Sequence, residues 1–117
     1  MLNTHAENPP CIECGLCREF CPVFGILRQE QISPRGLAIL ASGGIASVLF
    51  YQCTLCRACR EVCPVTHDPD GESIRAGLVA NGVETEVNKT MIANIRRYGN
   101  PFGELEDGEI PKTLTCC

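Results

Sequence analysis

A cysteine motif that occurs twice constrains this chain more than any other feature. The sequence CIECGLCREFCP at residues 11–22 and the sequence CTLCRACREVCP at residues 53–64 share the spacing C-x2-C-x2-C-x3-C-P. The two runs are offset by 42 residues at all four cysteines and at the proline. Both also carry an Arg-Glu pair at the same place, and an apolar residue precedes each fourth cysteine. The repeat places eight of the ten cysteines, so the chain is organised around two equivalent sets of thiols.

Composition favours metal ligation over disulfide bonding as the use of these thiols. Ten Cys among 117 residues, with 5% aromatics and no Trp, leave a thin core that needs a disulfide scaffold, a metal site or a cluster. The first ten residues are polar and lack the basic start and apolar stretch of a secretory signal. We therefore expect a reducing, cytoplasmic compartment, in which disulfides are disfavoured and metal ligation is common.

The spacing suits an iron–sulfur cubane better than a single ion. Three thiolates two residues apart can wrap a loop around one face of a cubane, and the fourth Cys of such a run ligates the other cluster. In a tetrahedral zinc site the third cysteine of each run would have no role, because structural zinc prefers separated C-x2-C pairs. We predict two [4Fe–4S] clusters, with a zinc-binding interaction module and a disulfide scaffold as the alternatives. The predicted ligands of the first cluster are Cys11, Cys14, Cys17 and Cys63, and those of the second cluster are Cys53, Cys56, Cys59 and Cys21.

Residues beside the thiols have supporting roles in this interpretation. Gly15 would let its loop approach a sulfide closely, and the proline after each fourth cysteine would turn the chain outwards, because proline cannot continue a helix. Arg18, Arg57 and Arg60 either stabilise anionic clusters or lie on solvated surface. His67 is expected to be a hydrogen-bonding loop residue and not a ligand.

The 31 residues between Cys21 and Cys53 are predicted to form helices, as is the rest of the chain, because few β-branched residues alternate with polar ones. Ser33-Pro34 is a helix start, with Ser at the N-cap and Pro at the first helical position. Gly43-Gly44 would end that helix. Residues 45–52 are expected to form a second short helix that leads into the second cysteine run.

Two more helices are predicted after the second run. Asp70 can cap a helix over residues 71–80 that ends at Asn81-Gly82. The clearest helix spans residues 84–98, and its apolar stripe is interpreted as core or as a partner face. The stripe consists of Val87, Met91, Ile95 and Tyr98, and the helix is expected to end at Gly99-Asn100-Pro101.

Charge and hydropathy exclude other classes of function. Lys and Arg total 10 against 14 Asp and Glu, so the net charge of −4 gives no basic field for nucleic acid. The longest uncharged stretch, residues 36–56, is interrupted by polar residues, and its apolar part is shorter than the ~20 residues of a spanning helix. No catalytic pattern surrounds the two histidines, so we predict no substrate site in this chain and no transmembrane segment.

The two runs and the helical spacer with Ser33-Pro34-Arg35-Gly36 resemble the dicluster module of glycolate/lactate oxidase iron–sulfur subunits. Heterodisulfide reductase C and D subunits are similar, and residues 94–103 (NIRRYGNPFG) resemble a segment that follows the module in that group. The resemblance implies an all-α, alpha-helical ferredoxin fold over residues 1–103. It also implies electron transfer within an oxidoreductase complex, between a redox partner such as a flavoprotein dehydrogenase and a cysteine-rich reductase subunit. The alternative is a free, diffusible dicluster ferredoxin.

The resemblance breaks off at the end of the chain. D-subunit and glycolate oxidase members continue into large domains with C-C-G motifs, whereas this chain ends in PKTLTCC at residues 111–117. We expect residues 104–117 to be an acidic tail, cut off at the start of such a domain by truncation or a split gene; a short C-subunit-like protein is the alternative. Cys116 and Cys117 would then be an unligated tail. The chain would be cytoplasmic, or attached peripherally to a membrane through a partner.

Overall fold

A computed structural model of the chain describes residues 8–111, and every regular element in that range is a helix. The all-α prediction is therefore confirmed for this part of the chain. The chain divides after Val83 into two compact units. The α-helices are α1 (Pro22–Leu27), α2 (Pro34–Ser42), α3 (Ala58–Glu61), α4 (Gly71–Ala80) and α5 (Glu86–Tyr98), and the 3₁₀ helices are Leu16–Phe20, Glu30–Ile32 and Val48–Gln52.

Helix α2 begins and ends where the spacer sequence predicts. The Ser33 hydroxyl accepts a hydrogen bond from the Gly36 amide at 2.9 Å, and Pro34 is the first helical residue. The same hydroxyl donates to the Glu30 carboxylate at 3.0 Å, and Ser33 is completely buried. Gly43 is the C-cap residue. This fully satisfied cap fixes the start of α2 against the preceding 3₁₀ helix.

The element after α2 is shorter and tighter than predicted. Residues 45–47 are not helical, and a 3₁₀ helix spans Val48–Gln52 after Ser47, whose hydroxyl accepts from the Leu49 amide at 3.2 Å. A side-chain cap at Ser47 therefore moves the helix start three residues downstream. Phe50 points from this short helix into the core.

The core of the first unit lies where α2, the 3₁₀ helix Val48–Gln52 and α4 meet. It consists of Leu37, Phe50, Ile74 and Leu78, all buried. Helix α4 has the predicted bounds, and the Asp70 carboxylate accepts from the Ser73 amide at 3.3 Å. The core is small and supplies limited stabilisation, so the cysteine loops can also contribute to the stability of the unit.

Helix α5 starts two residues later than predicted because Thr85 is its N-cap, with its hydroxyl accepting from the Asn88 amide at 3.2 Å. Gly99, at φ 74°, ends it as predicted. None of its residues is buried; Val87, Ile95 and Tyr98 are 42%, 47% and 37% exposed. The apolar stripe is therefore not a buried core. Residues 104–110 are all exposed.

One prediction about the proline after the first run is wrong. Pro22 does not turn the chain away from a helix but is the first residue of α1, with Cys21 as its N-cap. Proline is favoured at this position because its missing N–H would have no intrahelical partner there. Pro64 lies in a turn. No helix in residues 8–111 has the length and hydropathy that crossing a bilayer requires. Cys116 and Cys117 lie outside the described residues.

Candidate metal centre

The two cysteine loops have nearly the same backbone conformation. Glu13 and Leu55, at equivalent places in the two runs, have φ values of 60° and 59°. Gly15 and Arg57, also equivalent, have φ values of 79° and 63°. A left-handed conformation costs energy in residues other than glycine and is typically kept at functional sites. The sequence repeat is therefore also a structural repeat.

Backbone amides point at the sulfurs at the start of both loops. The Glu13 amide donates to the Cys11 sulfur at 3.4 Å, and the Leu55 amide donates to the Cys53 sulfur at 3.3 Å. In each loop, the amide of the third residue of the run thus donates a hydrogen bond to the first thiol. Hydrogen bonds of this kind orient metal ligands and help to set the potential of a bound cluster.

The fourth cysteine of each run also accepts a backbone hydrogen bond, but from a different structure. The Phe24 amide in the first turn of α1 donates to the Cys21 sulfur at 3.4 Å. In the second run, the His67 amide in the following loop donates to the Cys63 sulfur at 3.3 Å. The repeat therefore ends at the fourth cysteine, after which the two halves of the chain diverge.

The eight thiols line two cavities, and each cavity combines the two runs. One cavity is bordered by the first three cysteines of the first run and by the last cysteine of the second run; the other has the opposite combination. Pro34, Pro69 and Cys59 border both cavities. The first cavity is lined by Cys11, Cys14, Cys17 and Cys63 together with the shared Cys59, and the second is lined by Cys21, Cys53, Cys56 and Cys59.

Burial makes the innermost thiols poor acids. Burial raises the pKa of Cys59 to about 11, and the neighbouring Cys53 adds to the increase. Burial also raises the pKa of Cys17, with Cys11 adding to it, while backbone hydrogen bonds from Cys17 itself and from Arg35 act in the opposite direction. A metal binds thiolates, so these two thiols must release protons on ligation.

The donor set fits iron–sulfur cubanes. Cubanes take cysteine thiolates at their corners, and each cavity is lined by at least four thiols. In residues 8–111 no three His, Cys, Asp or Glu side chains converge on the position of one metal ion. Cys14 and Cys56, equivalent in the two runs, are the exposed ligand candidates. A bound cluster would therefore have one exposed corner beside each of these cysteines.

The arginines that flank the cysteines are all paired with carboxylates. Arg18 contacts Glu30 at 2.8 Å, and its guanidinium also lies 5.0 Å from the centre of the Phe24 ring. On the second run, Arg57 contacts Glu72 and Arg60 contacts Asp68, both at 3.1 Å. These two pairs are about half exposed, so their net stabilisation is small.

His67 takes the place that the sequence predicts. It lies in the loop after the second run, and its Nδ1 is 2.6 Å from the Pro9 carbonyl oxygen. The amide of the same residue is the donor to Cys63, so His67 ties the segment before the first run to the last cysteine of the second run. It borders the first cavity.

Two further arginines, Arg35 and Arg75, contact the cysteine loops although the cysteine spacing does not predict these contacts. Arg35, the second residue of α2, donates from Nη1 to the Glu13 carbonyl at 3.3 Å and from Nε to Glu30 at 2.7 Å. Arg75 on α4 donates to the carbonyls of Tyr51, at 3.1 Å, and Cys53. Each guanidinium holds the start of one cysteine loop. The contacts span 22 residues in both cases, so local sequence patterns could not reveal them.

A helical fold with two adjoining cavities that are lined by eight thiols, with Cys59 shared by both, defines a dicluster iron–sulfur protein. The family model described as the 4Fe-4S dicluster domain matches residues 7–67, which is just over half of the chain and includes both cysteine runs. The chain belongs to this family. It holds two [4Fe–4S] clusters and has an electron-transfer function. No curated protein matches the chain.

Proposed function

We propose that this chain is the iron–sulfur subunit of an oxidoreductase complex of the glycolate/lactate oxidase or heterodisulfide reductase type. The observation that carries the proposal is the pair of adjoining cysteine-lined cavities, which share Pro34, Pro69 and Cys59 in their linings. When bound, each cluster can accept and release one electron. Two such sites in adjoining cavities would form a path for electrons through the chain. The chain has no catalytic role of its own in this proposal.

We further propose the crossed ligand assignment for the first and second clusters. Each cavity borders three thiols of one run and the fourth thiol of the other, with Cys59 shared by both cavities, and this mixing of the two runs supports the crossed assignment over one in which each run holds its own cluster. Crossed ligation would also tie the two halves of the first unit together. That cross-link would compensate for the small core.

The proposed partners are a flavoprotein dehydrogenase as donor and a cysteine-rich reductase subunit as acceptor. The exposed stripe on α5 supports a subunit over a free carrier, because an apolar helix face of this kind commonly lies in an interface. The proposed location is cytoplasmic. The proposed domain boundary follows Gly103, which is buried and whose amide donates to the Asn100 side chain at 3.1 Å.

The ligand assignment is tested by comparing Cys→Ser variants of anaerobically purified protein. The parent protein should contain eight irons per chain and little zinc. The electron paramagnetic resonance spectrum of Cys21→Ser should match that of Cys53→Ser, because both variants lose a ligand of the second cluster. The spectrum of Cys63→Ser should match that of Cys11→Ser. Cys117→Ser is the control, and we expect it to leave the spectrum unchanged.

The opposite match would overturn the crossed assignment: Cys21→Ser would then resemble Cys11→Ser, its neighbour in sequence. Stoichiometric zinc without iron after anaerobic reconstitution would refute the family assignment itself. A separate double variant, Val87→Ser with Ile95→Ser, tests the subunit proposal. It should keep both clusters and lose co-purification with a flavin-containing partner. A parent protein that stays monomeric in native extracts, with no such partner, would favour the free ferredoxin.

A further inference from the structure

Arg35 lies directly against the loop that carries the first three cysteines. A Cβ added to Gly15 would be 2.7 Å from its Nη1 and 3.2 Å from its Cζ, so the guanidinium occupies the space that glycine leaves open. Its Nη1 donates to the Glu13 carbonyl at 3.3 Å. Arg35 of α2 thus touches the loop through its side chain.

Charged side chains form a triad beside this loop. Glu30 accepts hydrogen bonds from Arg35 at 2.7 Å and from Arg18 at 2.8 Å, and the hydrogen bond from Arg35, followed by that from Arg18, holds the pKa of Glu30 at about 2. The triad carries a net charge of +1, and the Glu13 carboxylate of the loop itself also acts on Arg35. The Arg35 side chain is 25% exposed, so solvent screens it less than it screens a surface pair.

The second loop has no group in the same position. Its residue equivalent to Gly15 is Arg57, whose own side chain extends to Glu72 on the surface. In the second loop, the Cβ of Arg57 fills the space that corresponds to the one occupied by the Arg35 guanidinium beside Gly15 in the first loop. Arg75 is the nearest counterpart, but it binds carbonyls at the beginning of the second run, including that of Cys53. The two cluster loops are alike in backbone and differ in the charge placed against them.

We propose that Arg35 is a positioning residue that raises the reduction potential of the first cluster and leaves that of the second cluster almost unchanged. Reduction adds an electron to an anionic cluster, so a permanent positive charge against its loop stabilises the reduced form. Hydrogen bonds to the ligand sulfurs act in the same direction. The inference rests on the proposed ligand assignment, because it identifies the cluster beside this loop.

The test is an anaerobic redox titration followed by electron paramagnetic resonance, in which the signal lost in Cys11→Ser identifies the first cluster. Arg35→Gln should shift the one-electron equilibrium of that cluster about tenfold towards the oxidised form, which is ~59 mV for a one-electron couple. Arg35→Lys should keep the potential of that cluster close to the parent value, because it keeps the positive charge. Glu30→Gln should shift the same cluster in the opposite direction, because it removes a negative charge from the triad.

Ser33→Ala is the structural control, since it removes the hydroxyl that binds Glu30 at 3.0 Å without changing any charge. It should lower thermal stability with little change in either potential. Shifts of the same sign in Arg35→Gln and Glu30→Gln, or equal shifts of both clusters, would show that a loosened loop is the cause and would overturn the proposal. If Arg35→Gln loses its cluster, Glu30→Gln decides: a shift of the first cluster towards the reduced form supports the proposal, and a shift towards the oxidised form overturns it. A parent protein without two cluster signals would instead refute the proposed function.

Discussion

Replacing Gly36 by Ala tests how closely the 3₁₀ helix Glu30–Ile32 packs on α2. Helix propensity alone favours Ala over Gly by about 1 kcal/mol in a helix interior. The structure predicts the opposite result. A Cβ on Gly36 would lie 2.0 Å from the Glu30 carbonyl oxygen and 2.9 Å from its carbonyl carbon. Both atoms belong to the backbone, so they cannot move aside by a change of rotamer.

The size of the effect follows from these opposing contributions. Overpacking a tight site costs about 1–3 kcal/mol, and the overlap with a backbone atom places Gly36→Ala at the upper end. Subtracting the gain in helix propensity leaves a net destabilisation of ~2 kcal/mol. For a domain of this size, that value corresponds to a decrease of roughly 10 °C in the melting temperature.

The assay is the loss of cluster absorbance on heating under anaerobic conditions, at a fixed scan rate because cluster loss is irreversible. Gly25→Ala is a matched control: Gly25 lies in α1, and a Cβ there would meet nothing within 4 Å. We expect Gly25→Ala to melt at the parent temperature or slightly above it, and Gly36→Ala to melt clearly below. Equal melting temperatures for the two variants would refute the close packing and the argument built on it.

Two further predictions concern the tail and the folding of the first unit. Deleting residues 104–117 should leave iron content and cluster spectra unchanged, because the eight predicted ligands lie within residues 11–63; loss of either cluster would contradict both the ligand assignment and the domain boundary. Cluster-free protein should lose most of its tertiary order, as near-ultraviolet circular dichroism would show, because cluster binding is linked to folding of a unit with few buried apolar residues. A cooperative transition near the parent melting temperature would show that packing alone suffices.

Short-range patterns predicted the parts of the fold that depend on short-range contacts. Ser33 and Asp70 cap the helices that follow them because their oxygens reach amides three residues away. Helix α1 escaped prediction because its cap is the Cys21 sulfur, which accepts from Phe24, and thiols are not among the usual N-cap groups. The start of α5 has a local signal of the same kind, because Thr85 stands directly before the helical pattern and caps the helix.

The cysteine spacing predicted the candidate site, whereas the groups that surround it depend on tertiary structure. The repeat indicates eight thiols and two clusters because the spacing of ligands within a loop is local. Arg35 is visible in the spacer motif, but its contact with the Gly15 loop needs the folded position of α2. Arg75 reaches its loop from α4 in the same way. Long-range pairs of this kind have no periodic signal in a single sequence.

The residues that border both cavities bear on the direction of electron transfer. Pro34 and Pro69 border both cavities, and proline has no N–H to donate. These two residues therefore offer no amide to the sulfurs on either side. Cluster potentials depend on such donors, on charge and on exposure to solvent. We therefore expect the difference in potential that gives electrons their direction to arise mainly from the loop amides, the arginines and the solvent around the rest of each site.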